Sequence, residues 1–485
     1  MEPSLRDRKL LRERAWIDGR FVDADDGGRF AVRNPATGDT IATVPACGAA
    51  ETRRAIEAAA EAFPGWANRT AAERASRLRD FHAAVCESRE DLARILTAEQ
   101  GKPLEEARAE VAYGAAFLLY YAEEARRTLG ETIPSPWPGS TALVTREPVG
   151  VVAAITPWNF PSAMILRKVA PALAAGCPVV LKPAEQTPLS ALALAELARR
   201  AGLGGALLQV VTGPPEPIGA ELSAHPAVRK LSFTGSTDVG RRLLAACAPT
   251  IKRVSLELGG HAPFLVFDDA DLARALEGAM AAKFRNAGQT CVCPNRFLVQ
   301  ETLAERFAEE LAARARRLRV GPGTEEGVQI GPLIDEAGLA KVEAHVADAV
   351  EKGAQLLCGG ARHALGGTFY QPTVLLGATR EMRLAREETF GPVAPVFRFR
   401  DEDEAVALAN DTEYGLAAYL YTRDLGRAFR VSRALESGMV AVNAGMLSTE
   451  VAPFGGVKQS GLGREGGHPG IAAFLEMKYT LVATG

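Results

Sequence analysis

The sequence predicts an α/β protein with a doubly wound parallel sheet, a second α/β region and a small β arm. Three observations predict it. From Val149 to Leu258, short apolar runs alternate strictly with helical segments. Strands buried on both faces and separated by helices make a parallel sheet. A chain of 485 residues exceeds what one core organises, so two or more domains are expected. Finally, Pro134, Pro136 and Pro138 precede an extended run, Thr141 to Thr145, with no helical neighbour of its own. That run reads either as an arm pairing elsewhere, at a subunit interface, or as a plain connector.

Composition narrows the function. Hydrophobic content of 47%, charged content of 24% and a net charge of −3 describe an ordinary globular chain. No Lys/Arg-rich run points to nucleic acid. No apolar run approaches the ~18 residues of a membrane span. Met1 to Arg14 is dense in charge and lacks the apolar core of a signal peptide. Seven scattered cysteines, an odd number, argue against a disulfide framework. The expected setting is reducing and cytoplasmic.

In chain order, Trp16 to Val44 holds short extended runs broken by Asp18-Gly19, Gly27-Gly28 and Asn34-Pro35, which predicts hairpins. Ala49 to Thr128 reads as helical, with breaks at Pro64-Gly65 and Gly101-Lys102-Pro103. Its last helix sets Val111, Phe117, Leu118 and Tyr121 against Glu105, Glu106, Glu110 and Glu123, an amphipathic scaffold. Strands follow at 149–155, 178–181, 207–211, 230–233 and 253–258, with helices at 161–176, 189–201, from 218, and at 239–248. Ligands of such sheets bind outside the carboxyl ends of the strands. Those ends carry Thr156-Pro-Trp-Asn159, Lys182-Pro-Ala-Glu185, Gly213, Thr234-Gly-Ser236 and Glu257-Leu-Gly-Gly260. A second α/β region runs from about Ala262 to Ser448, with helices near 303–317 and 339–351.

Within that region a helix reads from about Asp271 to Asn286, and Gly288 then frees the backbone to turn. Cys291 and Cys293 follow in Gly288-Gln-Thr-Cys-Val-Cys-Pro294. A lone Cys is usually a small buried hydrophobe, and Cys-x-Cys here has no partner pair at zinc-ligand spacing, so no metal is expected. The third reading is a nucleophile, which must be a thiolate. Period two places Glu257 opposite the apolar face of its strand, as a general base or as an ion-paired surface Glu. Asn159 stands before a helix start, as an oxyanion donor or as an N-cap. Gly235-Ser-Thr-Asp-Val-Gly240 lacks the full dinucleotide fingerprint and fits a simple strand-to-helix turn equally well.

Together these segments resemble the aldehyde dehydrogenase superfamily over nearly the whole chain. Glu257-Leu-Gly-Gly260, Gly288-Gln-Thr-Cys291, Glu388-Thr-Phe-Gly-Pro392 and Pro453-Phe-Gly-Gly456 occur in the family's order. The resemblance implies that Cys291 attacks an aldehyde, that Asn159 and the Cys291 N–H hold the oxyanion, and that Glu257 activates the hydrolytic water. It implies a cofactor site of Ile155, Thr156, Pro157, Trp158, Asn159, Lys182, Pro183, Ala184, Glu185, Gly213, Thr234, Gly235, Ser236, Leu258, Glu388 and Phe390. Glu465 resembles a secondary proton-relay residue or serves structure.

Within the superfamily the likeness is to succinate-semialdehyde dehydrogenases, through Gln289-Thr-Cys-Val-Cys293 and Pro453-Phe-Gly-Gly-Val-Lys-Gln-Ser-Gly461. The expected substrate is succinate semialdehyde, with glutarate or 2-oxoglutarate semialdehyde, or an inactive cofactor-binding relative, as alternatives. Arg167, Arg285 and Ser448 match residues that bind the substrate carboxylate. Glu185 stands where many NADP-using members have a small hydroxyl residue, so NAD is expected and NADP disfavoured. Cys293 is either filler or a redox partner of Cys291 in a reversible disulfide. The implied domains are 1–130 with 148–257 for NAD, 258–448 for catalysis, and 131–147 with 470–485 as an oligomerisation arm. A homodimer or homotetramer follows, with no nucleic acid or membrane partner.

Overall fold

Asp18 and Gly19, both at positive φ, turn the chain between β1 (Ala15–Ile17) and β2 (Arg20–Val22). The computed structural model describes residues 3–483; the ends of the expected domains, 1–2 and 484–485, lie outside the described residues. A second hairpin joins β3 (Arg29–Arg33) and β4 (Thr40–Pro45). Four α-helices follow: α1 (Ala49–Ala67), α2 (Ala71–Glu87), α3 (Arg89–Gln100) and α4 (Leu104–Glu124). The expected break at Pro64-Gly65 is absent, and Pro64 lies in the last turn of α1. Proline removes one helical hydrogen bond, but the buried Trp66 indole donates to Leu173 O at 3.1 Å and anchors that turn. The break at Gly101 is present, with φ at 93° closing α3 in the left-handed region.

After the strands β5 (Glu131–Pro134) and β6 (Ser140–Pro148), alternation begins. It runs β7 (Val151–Ile155), α5 (Ala163–Ala175), β8 (Val179–Lys182), α6 (Pro188–Arg200), β9 (Leu208–Val210), α7 (Pro215–Ala224), β10 (Val228–Thr234), α8 (Thr237–Cys247) and β11 (Arg253–Glu257). These strands lie in the order β2-β1-β9-β8-β7-β10-β11, parallel from β9 to β11 and antiparallel at the β1–β2 edge. The order reverses at β7, where β8 and β10 flank it, and a cleft opens at such a switch point. Helix α5 is buried along its whole length, which makes its two charges, Arg167 and Lys168, dependent on partners.

The second region holds β12 (Ala262–Val266), α9 (Leu272–Phe284), β13 (Pro294–Gln300), α10 (Glu301–Ala315) and α11 (Glu336–Glu351). Then come β14 (Gln355–Cys358), β15 (Thr373–Leu376), β16 (Val393–Phe399), β17 (Tyr414–Gly415), β18 (Ala417–Tyr421) and β19 (Met439–Val442). Its sheet runs β14-β15-β16-β13-β12-β18-β19, with parallel pairs throughout except at the β14 edge. The tail returns through β20 (Val457–Lys458), which pairs with β17, and β21 (Gly461–Leu462), which extends the first sheet beside β11. It ends in β22 (Leu475–Ala483), paired antiparallel with β6 along nine residues in a three-stranded sheet with β5. No helix among the described residues is long and apolar enough to cross a membrane.

Candidate active site

Helix α9 stops at Phe284, two residues before the expected end, because Asn286 and Ala287 adopt left-handed backbone (φ 51° and 53°). Such conformations persist in non-glycine residues only where surroundings enforce them. Asn286 donates its main-chain N–H to Glu106 at 2.8 Å and receives Gln100 Nε2 on its side-chain oxygen at 3.0 Å. Gly288 continues the turn, and a Cβ there would sit 2.2 Å from Gly391 O. The loop therefore presents Cys291, half-buried, to a cavity of about 430 Å³ between the two large sheets' loops.

Asn159, after β7, lines the same cavity and does not cap α5: its side-chain amide donates to Gln289 O at 2.9 Å. That bond uses one of two amide hydrogens. Desolvation pushes the Cys291 thiol up to about 12, and the Arg167 guanidinium opposes this. The resting thiol is thus protonated at neutral pH. Cys293 is fully buried and donates to Lys283 O at 3.4 Å; both cysteines are free.

Glu257 is buried rather than on the surface, and neither carboxylate oxygen has a hydrogen-bond partner among the described residues. Burial, and next the Glu465 carboxylate, raise it well above the usual range, while Arg167 and Lys168 pull the other way. It does not line the cavity. A Cβ on Gly455 would stand 2.8 Å from Glu257 Oε1, so the glycine leaves space for that carboxylate.

Glu465 accepts Arg167 Nε at 2.7 Å and Lys168 Nζ at 2.5 Å, supplying the partners that α5 requires. Burial alone would raise its carboxyl, but those two cations hold it below the usual value. Arg167 Nη2 and Tyr113 Oη are buried without a partner in hydrogen-bonding geometry among the described residues, and both residues line the cavity. Arg285, over the Phe160 ring at 5.3 Å, and Ser448 line it too.

The expected cofactor residues fall into two sets. Pro157, Trp158, Asn159, Thr234, Gly235, Ser236, Leu258, Glu388 and Phe390 line the cavity. Ile155, Thr156, Lys182, Pro183, Ala184, Glu185 and Gly213 lie outside its lining, at or just after the carboxyl ends of β7, β8 and β9. A nicotinamide dinucleotide fits this surface. Thr156 Oγ1 and Thr234 Oγ1 are buried and unpartnered, Ser236 caps α8 beside a glycine, and the Phe390 ring meets Trp158 at 5.5 Å with φ of 56°. Glu388 accepts the Gly260 N–H at 3.1 Å, and desolvation raises its carboxyl to about 7. No three metal-ligating side chains converge among the described residues.

Sequence reasoning missed Tyr113, Asp335 and Lys341, which line the cavity, and the buried partners behind Asn159. Glu110 was placed on the outer face of its helix, yet it is buried. Its one signal was the four-residue spacing from Glu106, with Tyr113 three further on, which puts all three on one helical side.

A parallel-sheet crevice lined by a cysteine and an amide donor, with a buried carboxylate outside that lining, is suited to covalent chemistry on a carbonyl beside a dinucleotide. The chain belongs to the aldehyde dehydrogenase family, whose model matches residues 21–480. It is 61% identical to a 3-sulfolactaldehyde dehydrogenase of Pseudomonas putida, with 98% of each chain covered. It is 58% identical to a glutarate-semialdehyde dehydrogenase of Pseudomonas aeruginosa, again over 98% of each. With the succinate-semialdehyde dehydrogenase [NADP(+)] GabD of Escherichia coli the identity is 57%, over 99% of each.

The last comparison overturns the expected preference for NAD over NADP, since that relative is named for NADP(+). The structure supplies a physical reason. Glu185 is not an isolated anion: Lys182 Nζ lies 2.8 Å from it, and a third of the carboxylate side chain remains solvated. Paired and screened charge repels a phosphate weakly.

Proposed function

We propose that this dehydrogenase oxidises a small aldehyde bearing an acid group at its far end, succinate semialdehyde first, to the corresponding acid. The carrying observation is the buried Arg167, which lines the cavity of Cys291 and whose Nη2 has no partner in hydrogen-bonding geometry among the described residues. A guanidinium offers paired donors that match a carboxylate. Arg285 and Ser448 complete the anion site. Glutarate semialdehyde is the alternative, and the sulfonate of the Pseudomonas putida relative's substrate is a third anion of the same kind. NADP(+) is the cofactor by likeness to the Escherichia coli relative.

In this reading Cys291 loses its thiol proton to water and its Sγ then attacks the aldehyde carbon. The second Asn159 amide hydrogen and the Cys291 N–H receive the oxyanion; one such donor is worth roughly 100- to 1,000-fold in rate. A nicotinamide held beside Trp158 and Phe390 would supply the hydride acceptor that oxidation of the Cys291 adduct to a thioester requires. Glu257, as carboxylate, takes a proton from water, which hydrolyses the thioester. Because Glu257 lies outside the cavity lining, its carboxylate must move toward Cys291 to do so. Trp158 and Phe390 would flank the cofactor, Lys182, Glu185 and Glu388 would hold its riboses, and Gly235 with Ser236 would approach the pyrophosphate.

The parts divide as 1–130 with 148–257 for the cofactor, 258–448 for catalysis, and 131–147 with 470–485 for contact between copies. Seven free thiols support a reducing, cytosolic setting. Cys293 joins Cys291 under oxidation only by leaving the Lys283 carbonyl. The test of the substrate is a comparison of kcat/KM for succinate, glutarate and uncharged aldehydes in wild type and Arg167→Ala. A loss confined to the acid-bearing aldehydes supports the reading; equal losses on all refute it.

A further inference from the structure

Behind Asn159 lies a buried ion pair that the mechanism leaves unused. Lys102 and Glu110 are almost fully buried, and the ammonium stands 2.6 Å from one Glu110 oxygen. Lysine is seldom buried unless paired, yet pairing is not all this one does. The same Nζ donates to the main-chain oxygen of Asn159 at 2.7 Å and lies 3.8 Å from the centre of the Phe160 ring. The other Glu110 oxygen accepts the Ser162 and Ala163 amides at 2.9 and 3.2 Å, closing the first turn of α5, the helix that carries Arg167.

A second donor, Asn286 Nδ2, reaches Asn159 O at 3.0 Å and Gln289 O at 3.2 Å. Gln289 O is the atom that the Asn159 side chain grips. Main chain and side chain of Asn159 are therefore anchored to one network that also shapes the Cys291 loop.

We propose that Lys102, clamped by Glu110, is a positioning residue for the Asn159 amide. By fixing the Asn159 main chain it keeps one amide hydrogen on Gln289 and turns the other toward the oxygen of the substrate. The proposal rests on the oxyanion role given to Asn159 above. Burial lowers the ammonium's proton affinity and Glu110 opposes that loss. A charge-assisted hydrogen bond to a carbonyl is stronger than a neutral one, which suits an anchor that must not drift. Displacement of a reacting group by about 1 Å costs on the order of 100-fold in rate.

The experiment is a stopped-flow double-mutant cycle on the full-length enzyme with NADP(+) and succinate semialdehyde, reading the first-turnover burst of reduced cofactor. Lys102→Met should slow the burst by roughly 10- to 100-fold while cofactor Kd, from fluorescence titration, stays within about twofold. Lys102→Met combined with Asn159→Ala should be no slower than Asn159→Ala alone. Losses that multiply, or a burst that falls only in step with cofactor binding, would overturn the proposal. If Lys102→Met does not fold, Lys102→Gln replaces it in the same cycle; the shorter, neutral side chain does not span both partners. A folded Lys102 variant with a wild-type burst also overturns it. Asn159→Ala with a wild-type burst would instead remove the oxyanion reading itself, so the two failures are distinct.

Discussion

At the scale of single residues, burial works against the charged form of both Cys291 and Glu257. Cys291 is raised to about 12 and Glu257 lies well above the usual carboxylate range, both by burial first. A carboxyl raised in this way gives up its proton only at higher pH. Thioester hydrolysis should therefore accelerate as pH rises above the ordinary carboxylate range. Single-turnover hydrolysis measured against pH checks this: Glu257→Gln should keep the burst of reduced cofactor but lose both steady turnover and the pH-dependent rise. Cys293 carries a smaller prediction. Peroxide-treated wild type should regain activity with dithiothreitol, and Cys293→Ala should not; equal recovery would leave Cys293 as packing. Cys291, Glu257 and Asn159 stood out in the sequence because each sits at or just past the end of a strand or in a glycine-marked loop. Their states of protonation did not, since these depend on Glu465, Arg167 and Lys168 brought together from distant segments.

At the scale of elements, strand–helix alternation was readable to within one to three residues at each end, because short apolar runs buried on both faces have few other structures open to them. Tertiary anchors were not. Pro64 failed to end its helix because Trp66 holds the last turn to α5, and Glu110 looked exposed because its partners lie outside its helix. Glu99 is another such case. It is fully buried at the end of α3 and accepts the Leu189 and Ser190 amides at 2.7 and 2.8 Å, capping α6. Burial raises its carboxyl to about 8 despite those bonds. The folded state thus holds this proton more tightly than the unfolded chain, where the value is about 4.3. Its stabilising contribution is complete below that unfolded value and is lost as pH rises through about 8. Thermal unfolding at about pH 6 and about pH 9 should show a smaller drop in Tm for Glu99→Gln than for wild type. An equal drop in both would assign the alkaline loss to other groups.

At the scale of the molecule, two sheets meet over one cavity, and the tail joins them: β21 extends the first sheet while Phe454 and Ser448 reach the site. The three-stranded arm stands apart and exposes Ile133, Met477, Tyr479 and Leu481. An apolar sheet face of this kind is a contact surface, and the proposed partner is a second copy. Met477→Lys with Tyr479→Lys should shift sedimentation to a smaller species without lowering the burst rate per chain; unchanged sedimentation would place the contact elsewhere. In the proposed reaction Cys291 carries the acyl group of an acid-bearing aldehyde. The most direct test of that role is mass spectrometry of Glu257→Gln quenched after mixing with NADP(+) and succinate semialdehyde. A succinyl thioester on Cys291 that forms only when both ligands are present is the expected result. An unmodified Cys291, or an acyl group on another residue, would contradict it.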